Sequence, residues 1–531
     1  MKPTNVPLTV RNFDRVKCGI CFGCGCACGY IAYLKGRDLV DVYGHPHHPN
    51  NVGSLCSRGI TLLQRAPFSP LRLRHPLLRE GDSWRSVGRA EVLDWMEKNL
   101  RGRIAVFLGR HTDLRDYLAA RTLTDHVYGD ALYLPFASST LKPRLWSSKR
   151  VILLLECEPV FSEPMTARWL VDAFERSAYI VAVSSRFTTA SAKATARLLL
   201  KPPAAVRFFE ELAEALEGRS QALEGEAVRL VEAFTSLSDS SLILVGETLL
   251  RSPWRDNVIS ALRRIRRRVR IDYAVVGDVS LFELRELPDF LRDLESYDAF
   301  VLFGNPAVHM SHEELRLLRE RKVLHLTHFP NLTSHWADLL VPAPFFHERE
   351  FTGYRTSFGS LYTSPRVLDP PEGVCDPADL LLAFTGGSID PAGVLPDREV
   401  DPEEGAILPA PFIEDWDGEI EPAPLEEEGV FLVCDSTLTD ETGHWSLWTH
   451  ELEPEQIALL NGRTAELLGV KDSVEFSGVS LKLKLTPNVA EDVLFVPLSF
   501  EETQPFGGGV RPGSLLGGRG YRVARLQIPR R

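Results

Sequence analysis

One segment, residues 18–59, holds six of the nine cysteines and offers the clearest chemistry in the sequence. Within it, Cys21, Cys24, Cys28 and Cys56 follow the pattern C-x2-C-x3-C, then a gap of 27 residues and a fourth cysteine. Four thiolates in this arrangement suit a cubane iron–sulfur cluster, because each thiolate can bind one iron. The two short spacings let three sulfurs come from one tight loop, and the fourth returns from a distance.

Other uses of these cysteines compete with a cluster. A structural zinc site usually takes two C-x2-C pairs, and only Cys18/Cys21 and Cys21/Cys24 have that spacing, with no second pair near Cys56. Disulfides are disfavoured because no secretory segment is present and the thiols crowd one loop. A different cluster register, in which Cys18, Cys21 and Cys24 act with Cys56, is the rival that the spacing leaves open.

The elements around the cysteines must let the chain wrap closely and then return. Glycines among the cysteines allow close backbone approach, and they are Gly19, Gly23, Gly25 and Gly29. Residues 30–46 alternate apolar and polar side chains around Lys35-Gly36-Arg37-Asp38, which predicts a β-hairpin. This hairpin carries the chain away from Cys28 and back towards Cys56.

The spacing and the residues beside it resemble the iron–sulfur domain of the molybdenum/tungsten bis-pterin (molybdopterin) oxidoreductases, the formate dehydrogenase and nitrate reductase superfamily. That domain ends in G-x-L-C-x-(K/R)-G, which is similar to residues 53–59 here, with Cys56 and Arg58 at the matching places. Residues 69–79 resemble its PxRLxxPLxR run. The resemblance implies that the C-x2-C-x3-C cysteines and Cys56 ligate a 4Fe-4S cluster. It also implies that Arg58 lies between the cluster and a pterin pocket.

Composition limits the class of protein. With 531 residues, 44% of them apolar, the chain should contain three or four domains. It has no run of about 18 apolar residues, so we expect no membrane span. The N-terminus has neither an apolar secretory core nor a twin-arginine pair, which favours a cytoplasmic protein. A net charge of −12 argues against nucleic-acid binding, and the basic run 263–268 is typical of a solvated helix face or a partner contact.

Short apolar runs alternate with helical patterns through the middle of the chain, which is the signature of doubly wound α/β sheets. The runs are 103–109, 151–155, 180–183, 242–245, 271–276, 300–303 and 323–326. We predict an α/β fold with five parts. These are an N-terminal iron–sulfur domain (14–75), two doubly wound α/β domains (76–240 and 241–386), an acidic proline-rich linker (387–429), and a C-terminal six-stranded β-barrel of double-psi type (430–531).

Three further stretches resemble pterin-facing parts of the same superfamily. Gly304-Asn305-Pro306 follows a predicted strand and resembles the GxNP turn, where glycine allows close approach to a phosphate and Asn offers a donor and an acceptor. Residues 327–343, with Asp338, resemble the TxTAxxADxVLP segment, and residues 461–474 resemble a motif of the family's C-terminal dinucleotide-binding domain. The resemblance implies that Gly304, Asn305, Pro306 and Asp338 bind a cofactor. For the first three, an ordinary turn without a ligand is the alternative.

The sequence departs from the family where a metal ligand is expected. Metal-bearing members place Cys, selenocysteine, Ser or Asp in a loop that corresponds to residues 134–150, which offer only hydroxyls such as Ser138 and Ser139. Glu156-Cys157-Glu158-Pro159 replaces a second Gly-x-Asn-Pro turn, and two carboxylates repel a diphosphate unless they turn aside or pair. Cys157, after an apolar strand, is typical of a small buried hydrophobe. We therefore predict that no protein side chain binds Mo or W.

The predicted function is that of a redox subunit with one 4Fe-4S cluster. By resemblance it passes electrons between a formate-dehydrogenase-like pterin site and a partner subunit, an iron–sulfur or flavin protein, and its second cofactor is molybdopterin guanine dinucleotide with Mo or W. No catalytic residue is identified. The alternative is a cofactor-free electron-relay or scaffold subunit of a larger respiratory or hydrogenase-type complex, because the same domain occurs in the large peripheral-arm subunit of respiratory complex I.

Overall fold

A computed structural model describes residues 12–219, 223–390, 405–435, 451, 453–476, 478–505 and 508–526. Its first element, called the N-terminal sheet, consists of three antiparallel strands, Arg15–Cys21, Cys28–Lys35 and Asp38–Gly44. The predicted hairpin is present, because Lys35 pairs with Asp38 across a turn in which Gly36 has a φ of +58°. Cys21 pairs with Cys28, so the cysteine loop between them is fixed at both ends.

A five-stranded sheet lies in the middle of the chain, and all its strands are parallel. In spatial order the strands are Ala196–Leu199, Tyr179–Ser184, Val151–Leu155, Ser241–Gly246 and Asp272–Val276. Numbered along the chain, this order is 3-2-1-4-5, as in a doubly wound fold. Alternate residues of the apolar strand Val151–Leu155 enter two different cores, one on each face of the sheet, which explains why the run is continuously apolar.

A second sheet has eight strands, which come from before and after the five-stranded sheet in the sequence. Its spatial order is Arg285–Glu286, Val127–Gly129, Ile104–Leu108, Ala299–Phe303, Lys322–Thr327, Leu339–Pro342, Leu77–Glu80 and Ser83–Ser86. The first six strands are parallel and follow the order 3-2-1-4-5-6 along the chain, whereas the last two are antiparallel. Both sheets therefore have a switch point, where the strand order reverses between strands 1 and 4.

The predicted division between residues 240 and 241 does not follow these sheets. Ser241–Gly246 pairs with Val151–Leu155, and Ala299–Phe303 pairs with Ile104–Leu108. The five-stranded sheet is thus inserted, along the chain, between strands of the eight-stranded sheet. The alternation of strands and helices predicts two doubly wound sheets correctly. It does not predict which strands pair, because parallel strands are joined by long crossovers and need not be neighbours in sequence.

Helices connect and cover the strands. Those of nine or more residues are Arg89–Asn99, Leu114–Leu123, Ala167–Glu175, Pro202–Leu216, Glu226–Ser236, Arg255–Arg268, His312–Glu320 and Pro377–Thr385. Shorter ones are Ser57–Ile60, Pro159–Ser162, Glu247–Leu250, Leu287–Asp293, Leu332–Trp336, Gly462–Leu468 and Pro512–Leu516. Two small sheets pair Leu132–Tyr133 with Val279–Ser280, and Phe351–Gly353 with Ser360–Ser364 and Ala406–Ile407. Among the described residues, no helix combines the length and apolar character that a membrane crossing requires.

The C-terminal sheet has six strands in mixed orientation. Their order is Ser473–Phe476, Val479–Leu485, Ile457–Leu460, Val493–Pro497, Phe431–Asp435 and Val523–Arg525. Antiparallel and parallel pairs alternate across it. Within the part of the chain that the structure describes, the two outer strands do not pair with each other, so this element is a half-barrel. Closure into a double-psi barrel stays a prediction.

The described part of the predicted linker packs against the helix Arg255–Arg268. Arg266 forms an ion pair with Glu414, and Arg263 donates a hydrogen bond to the carbonyl oxygen of Trp416 at 3.3 Å. The interpretation of this basic run as a solvated face or a partner contact is therefore wrong for these two arginines. Their partners lie in the chain's own acidic segment, whose opposite charge the sequence shows without indicating that the two meet.

Candidate functional site

The N-terminal sheet and the helix after it bring together five cysteines, called here the thiol group: Cys21, Cys24, Cys26, Cys28 and Cys56. Cys24 and Cys26 lie in the loop that joins the paired residues Cys21 and Cys28. Cys56 caps the helix Ser57–Ile60, and its sulfur accepts a hydrogen bond from the N–H of Gly59 at 3.3 Å. A Cβ on Gly59 would lie 3.4 Å from the sulfur of Cys21 and 3.8 Å from that of Cys56. The sulfurs of Cys21 and Cys56, which come from distant parts of the chain, therefore both lie next to Gly59.

Cys18 lies outside the thiol group. It is three residues before Cys21 on the same strand, and because successive side chains of a strand alternate between faces, the two side chains point to opposite sides. Cys18 is exposed, whereas Cys21 is buried. The arrangement favours the register with Cys21, Cys24, Cys28 and Cys56 over the rival that uses Cys18.

Burial makes the thiols of Cys21, Cys24 and Cys56 poor acids. It raises the pKa of Cys21 to about 12 and raises the pKa values of Cys24 and Cys56 as well. For Cys28, the hydrogen bond with Cys26 is the first cause of a raised pKa and burial is the second. Several buried thiolates are therefore stable together only beside positive charge, which the irons of a cluster supply. The donor set fits a cluster on these grounds.

The thiol group differs from a single-ion site. Among the described residues, no three His, Cys, Asp or Glu side chains are placed to hold one metal ion. A cubane distributes its ligands differently, with one thiolate on each iron.

Arg58 is buried beside the thiol group. Its guanidinium lowers the pKa values of Cys21, Cys24 and Cys56, against the larger effect of burial on each thiol. It also donates hydrogen bonds to the carbonyl oxygen of Phe161 at 2.8 Å and to that of Ser162 at 3.3 Å. The two carbonyls belong to the short helix that follows the first strand of the five-stranded sheet. Arg58 therefore joins the thiol group to the carboxyl end of that sheet.

Glu163 is a buried residue of this region that the sequence does not single out. Its side chain has no exposed surface, and one carboxyl oxygen accepts a hydrogen bond from the N–H of Gly277 at 3.2 Å. Burial raises its pKa well above the usual range, and the charge of Cys26 acts in the same direction. A single Glu after a short helix has no spacing signal, so only the fold reveals that it faces the thiol group.

The turn Gly304-Asn305-Pro306 lies at the switch point of the eight-stranded sheet. It follows strand 4, while Gly109 follows the neighbouring strand 1. Gly304 has a φ of +79°, and a Cβ on Gly109 would lie 2.6 Å from the carbonyl oxygen of Phe303, so the two strand ends meet more closely than side chains allow. Ligands of doubly wound folds bind outside the carboxyl ends of the strands at such points.

Asn305 connects this switch point to the C-terminal part of the chain. Its amide oxygen accepts a hydrogen bond from the N–H of Thr333 at 3.1 Å, and its amide nitrogen donates one to Glu501 at 3.0 Å. Glu501 follows the strand Val493–Pro497 of the C-terminal sheet. Both ends of the amide are therefore used within the protein, and a ligand would have to share or replace these bonds.

A cleft that is partly open to solvent covers this switch point. Its charged and amide-bearing lining residues include Arg110, Asp130, Arg251, Asp278, Asn305 and Arg522. Several of these charges pair: Arg110 lies 3.4 Å from Asp278, and Arg522 lies 2.7 Å from Glu247. Burial opposes ionisation of Asp278, but Arg355 and Arg110 hold its pKa below the usual range. The cleft thus carries three guanidinium groups. They can bind a phosphate if they leave their present carboxylate partners.

Asp338 lies away from this cleft, contrary to the expectation that it binds the same cofactor as Asn305. It precedes the strand Leu339–Pro342, and its carboxylate accepts a hydrogen bond from the N–H of Val323 at 2.9 Å. Both positions are at the amino ends of parallel strands, whereas Asn305 is at a carboxyl end. The carboxylate therefore fastens two strands to each other instead of facing the switch point.

Replacing Asp338 with Ala is accordingly expected to lower the free energy of unfolding by about 1 to 2 kcal/mol, through loss of this hydrogen bond, without changing cofactor content. Urea unfolding and iron, molybdenum and tungsten analysis of the same preparation check both parts. Asp338→Asn keeps an acceptor oxygen and serves as the control. Loss of a cofactor from a folded Asp338→Ala protein would contradict this placement.

The hydroxyls of the loop 134–150 form hydrogen bonds within the protein. Ser138 donates to the carbonyl oxygen of Ser357 at 3.0 Å, and Ser139 donates to that of Leu141 at 2.6 Å. The loop itself lies along the edge strand Asp272–Val276. Both serine hydroxyls are thus used within the protein, and the absence of a protein ligand on Mo or W stays a prediction.

The switch point of the five-stranded sheet differs in charge. The crevice there is lined by the carboxylate residues Glu156, Glu158, Glu247 and Asp435, and among the described residues no Lys or Arg lines it. Burial raises the pKa of Glu156 to about 7, and its carboxylate accepts a hydrogen bond from the N–H of Ser185 at 2.7 Å. Glu158 accepts one from the N–H of Val160 at 3.0 Å. The two carboxylates turn aside onto neighbouring loops, and the guanidinium groups next to the crevice are paired, Arg522 with Glu247 and Arg186 with Asp435.

Cys157, between these carboxylates, is buried in the apolar core that contains Trp146, Leu154 and Leu170. Its surroundings are those of a small hydrophobic side chain. The interpretation as a metal ligand has no support from its contacts.

Comparison with known proteins identifies the N-terminal segment. Residues 14–66 match the family model described as "Molybdopterin oxidoreductase Fe4S4 domain". A stretch of 82 residues is 34% identical to one component of the sulfite dehydrogenase of Allochromatium vinosum, covering 15% of this chain and 8% of that protein. A stretch of 215 residues is 25% identical to the alpha chain of the formate dehydrogenase of Megalodesulfovibrio gigas, covering 33% of this chain and 21% of that protein. The matches thus span a small part of these relatives' length.

The fold as a whole also has a solved counterpart. Acetylene hydratase from Pelobacter acetylenicus superposes with a TM-score of 0.67 over 95% of this chain and 98% of that chain, at 14% sequence identity. At this identity the likeness concerns the fold. It extends well beyond the segment that the sequence comparisons cover.

Proposed function

We propose that this chain, which belongs to the molybdopterin oxidoreductase superfamily, is a redox subunit that passes electrons between a formate-dehydrogenase-like pterin site and a partner subunit through one 4Fe-4S cluster. The partner is an iron–sulfur or flavin protein. A cytoplasmic location fits the proposal, because a reducing compartment preserves clustered thiols. The observation that carries it is the thiol group, in which distant segments of an Fe4S4-type domain bring buried sulfurs to one place beside the buried Arg58.

In this proposal Cys21, Cys24, Cys28 and Cys56 ligate the cluster. The spacing of the family supports this set, and the exposed position of Cys18 argues against the rival register. Bound there, the cluster would supply one-electron transfer. The chain's own contribution is to exclude water, to hold the sulfurs and to keep the charge of Arg58 close to them.

The pterin dinucleotide is proposed to bind over the switch point of the eight-stranded sheet. Gly304, Asn305 and Pro306 form the turn there, and Arg110, Arg251 and Arg522 offer guanidinium groups for a diphosphate. With Mo or W, this cofactor would supply the substrate oxidation or reduction. The crevice of the five-stranded sheet is less suited to a second diphosphate, because its four carboxylates would repel it. Closure of the half-barrel into a double-psi barrel would complete the cleft.

The alternative is an electron-relay or scaffold subunit that has the cluster but no pterin. The specific observation in its favour is that the hydroxyls of Ser138 and Ser139 bind carbonyl oxygens and that the arginines of the cleft pair with acids. Under this alternative the ion pairs close the cleft in place of a ligand.

Analysis of anaerobically purified protein separates the two candidates. The proposed function predicts about four irons and about four sulfides per chain together with a pterin and Mo or W, whereas the alternative predicts the iron and sulfide alone. X-ray absorption is expected to show no protein side chain on Mo or W. An additional Cys157 sulfur or serine oxygen in the first shell of the metal would contradict that expectation. Absence of iron would reject both candidates.

Arg58 provides a test of the cluster environment. Arg58→Ala is expected to lower the reduction potential of the cluster by on the order of tens of millivolts, because removal of a nearby positive charge disfavours the reduced, more negative state. Potentiometric titration followed by electron paramagnetic resonance measures the shift. Arg58→Lys retains a positive charge and should shift the potential less. An unchanged midpoint in Arg58→Ala would place the guanidinium outside the influence of the cluster.

A further inference from the structure

Cys26 lies inside the thiol group although it is not part of the C-x2-C-x3-C set. Its side chain is fully buried, and its sulfur is 3.5 Å from that of Cys28. Ala27 between them has a φ of +48°, and Asn50 donates a hydrogen bond to the carbonyl oxygen of Cys26 at 2.8 Å. The loop is therefore held in a conformation that turns both sulfurs to one place.

Cys26 is also close to the other members of the group. A negative charge on Cys26 would raise the pKa values of Cys21, Cys24, Cys28 and Cys56, because its sulfur lies near theirs. Cys26 therefore faces the same interior as the expected ligands, and a fifth thiol lies where four are needed.

The 3.5 Å separation limits what the two sulfurs can do together. Thiolates on different irons of a cubane are farther apart than two sulfurs in contact, because each iron points its external ligand away from the centre of the cluster. Cys26 and Cys28 therefore cannot serve two corners from these positions. They are alternatives for one corner.

We propose that Cys26 is a reserve ligand that shares one corner of the cluster with Cys28. The inference rests on the proposed function, since it requires the cluster. In the exchange, the Cys28 sulfur would leave one iron and take up a proton. The Cys26 thiol would lose its proton and bind the same iron through its sulfur. No electron is transferred and no other reactant is needed.

The expected consequence is an asymmetry among ligand variants. Cys28→Ser should retain about half or more of the wild-type iron and sulfide, because Cys26 replaces the lost thiolate. Cys24→Ser should retain little, because the direct sulfur contact of Cys26 is with Cys28. The double variant C26S/C28S should lose the cluster as completely as Cys24→Ser, and Cys26→Ser alone should keep it.

The test measures iron, acid-labile sulfide and the electron paramagnetic resonance spectrum of each full-length variant after anaerobic reconstitution. Cys18→Ser is the matched control, because it removes a thiol from the same segment but outside the thiol group. The signal of Cys28→Ser should differ in shape from that of wild type, since one ligand comes from a different backbone position, and C26S/C28S should lack it.

Two outcomes would overturn the proposal. One is a folded Cys28→Ser protein that is as empty as Cys24→Ser, and the other is a C26S/C28S protein that keeps its cluster. Circular dichroism shows whether each variant is folded. If Cys28→Ser does not fold, Cys26→Ala provides the test. A thiol beside a ligand sulfur affects the reduction potential of the cluster, so removing it should shift that potential. An unchanged potential and spectrum in Cys26→Ala would reject the placement of Cys26. A wild-type protein without iron would instead reject the proposed function.

Discussion

Replacing Glu348 with Ala is expected to lower the free energy of unfolding by about 3 to 5 kcal/mol, because the change leaves a buried guanidinium without its partner. The side chains of Arg72 and Glu348 are 1% and 3% exposed, and they form two hydrogen bonds of 2.7 and 2.5 Å. Arg72 lies in the segment after the N-terminal sheet, and Glu348 lies beyond the last parallel strand of the eight-stranded sheet. The pair therefore joins parts of the chain that are distant in sequence.

Equilibrium unfolding in urea, monitored by circular dichroism, measures this loss. An exposed pair supplies the matched control: Arg463 and Glu491 are 2.5 Å apart, but their side chains are 79% and 56% exposed. Glu491→Ala should lower the free energy of unfolding by less than about 1 kcal/mol, because solvent already screens that pair. The double change R72M/E348L should recover much of the stability lost in Glu348→Ala, because apolar side chains need no partner. Equal losses of unfolding free energy in Glu348→Ala and Glu491→Ala would contradict the claim that burial makes the Arg72–Glu348 pair important for stability.

The parts of the fold that the sequence predicts correctly depend on local signals. The hairpin around Gly36 is visible because alternation and a turn residue lie within one short stretch. The buried strand Val151–Leu155 is visible because both of its faces are covered, so every side chain is apolar. The turn Gly304-Asn305-Pro306 likewise follows a recognisable strand. Each of these features needs only neighbouring residues.

The parts that the sequence does not predict depend on contacts between distant residues. Ser241–Gly246 joins Val151–Leu155 across a long crossover, which no local pattern encodes. Asp338 lies in a family-like segment, yet its side chain bonds to the start of another strand. Cys26 resembles an ordinary loop residue until its distance from Cys28 is known. Resemblance can give the position of a residue in a motif, but the direction of its side chain comes from packing.

Replacing Cys56 with Ser is expected to remove most of the iron and sulfide, whereas replacing Cys18 with Ser should leave both at the wild-type level. Cys56 is the ligand that comes from outside the cysteine loop, and its sulfur lies beside Gly59 with that of Cys21. Serine is a poor substitute because its hydroxyl is far less acidic than a thiol and binds iron less well. Cys18 is exposed and on the other face of its strand, so its loss removes no ligand.

Iron and sulfide analysis with electron paramagnetic resonance of the dithionite-reduced proteins compares the two variants. Both remove one thiol from the same segment, so a general effect of lost cysteines would appear in each. Loss of the signal in Cys18→Ser together with its retention in Cys56→Ser would exclude the ligand set Cys21, Cys24, Cys28 and Cys56. Loss in both would support the register with Cys18, Cys21, Cys24 and Cys56. That register would require the strand Arg15–Cys21 to turn its exposed face inward, because Cys18 and Cys21 now point to opposite sides.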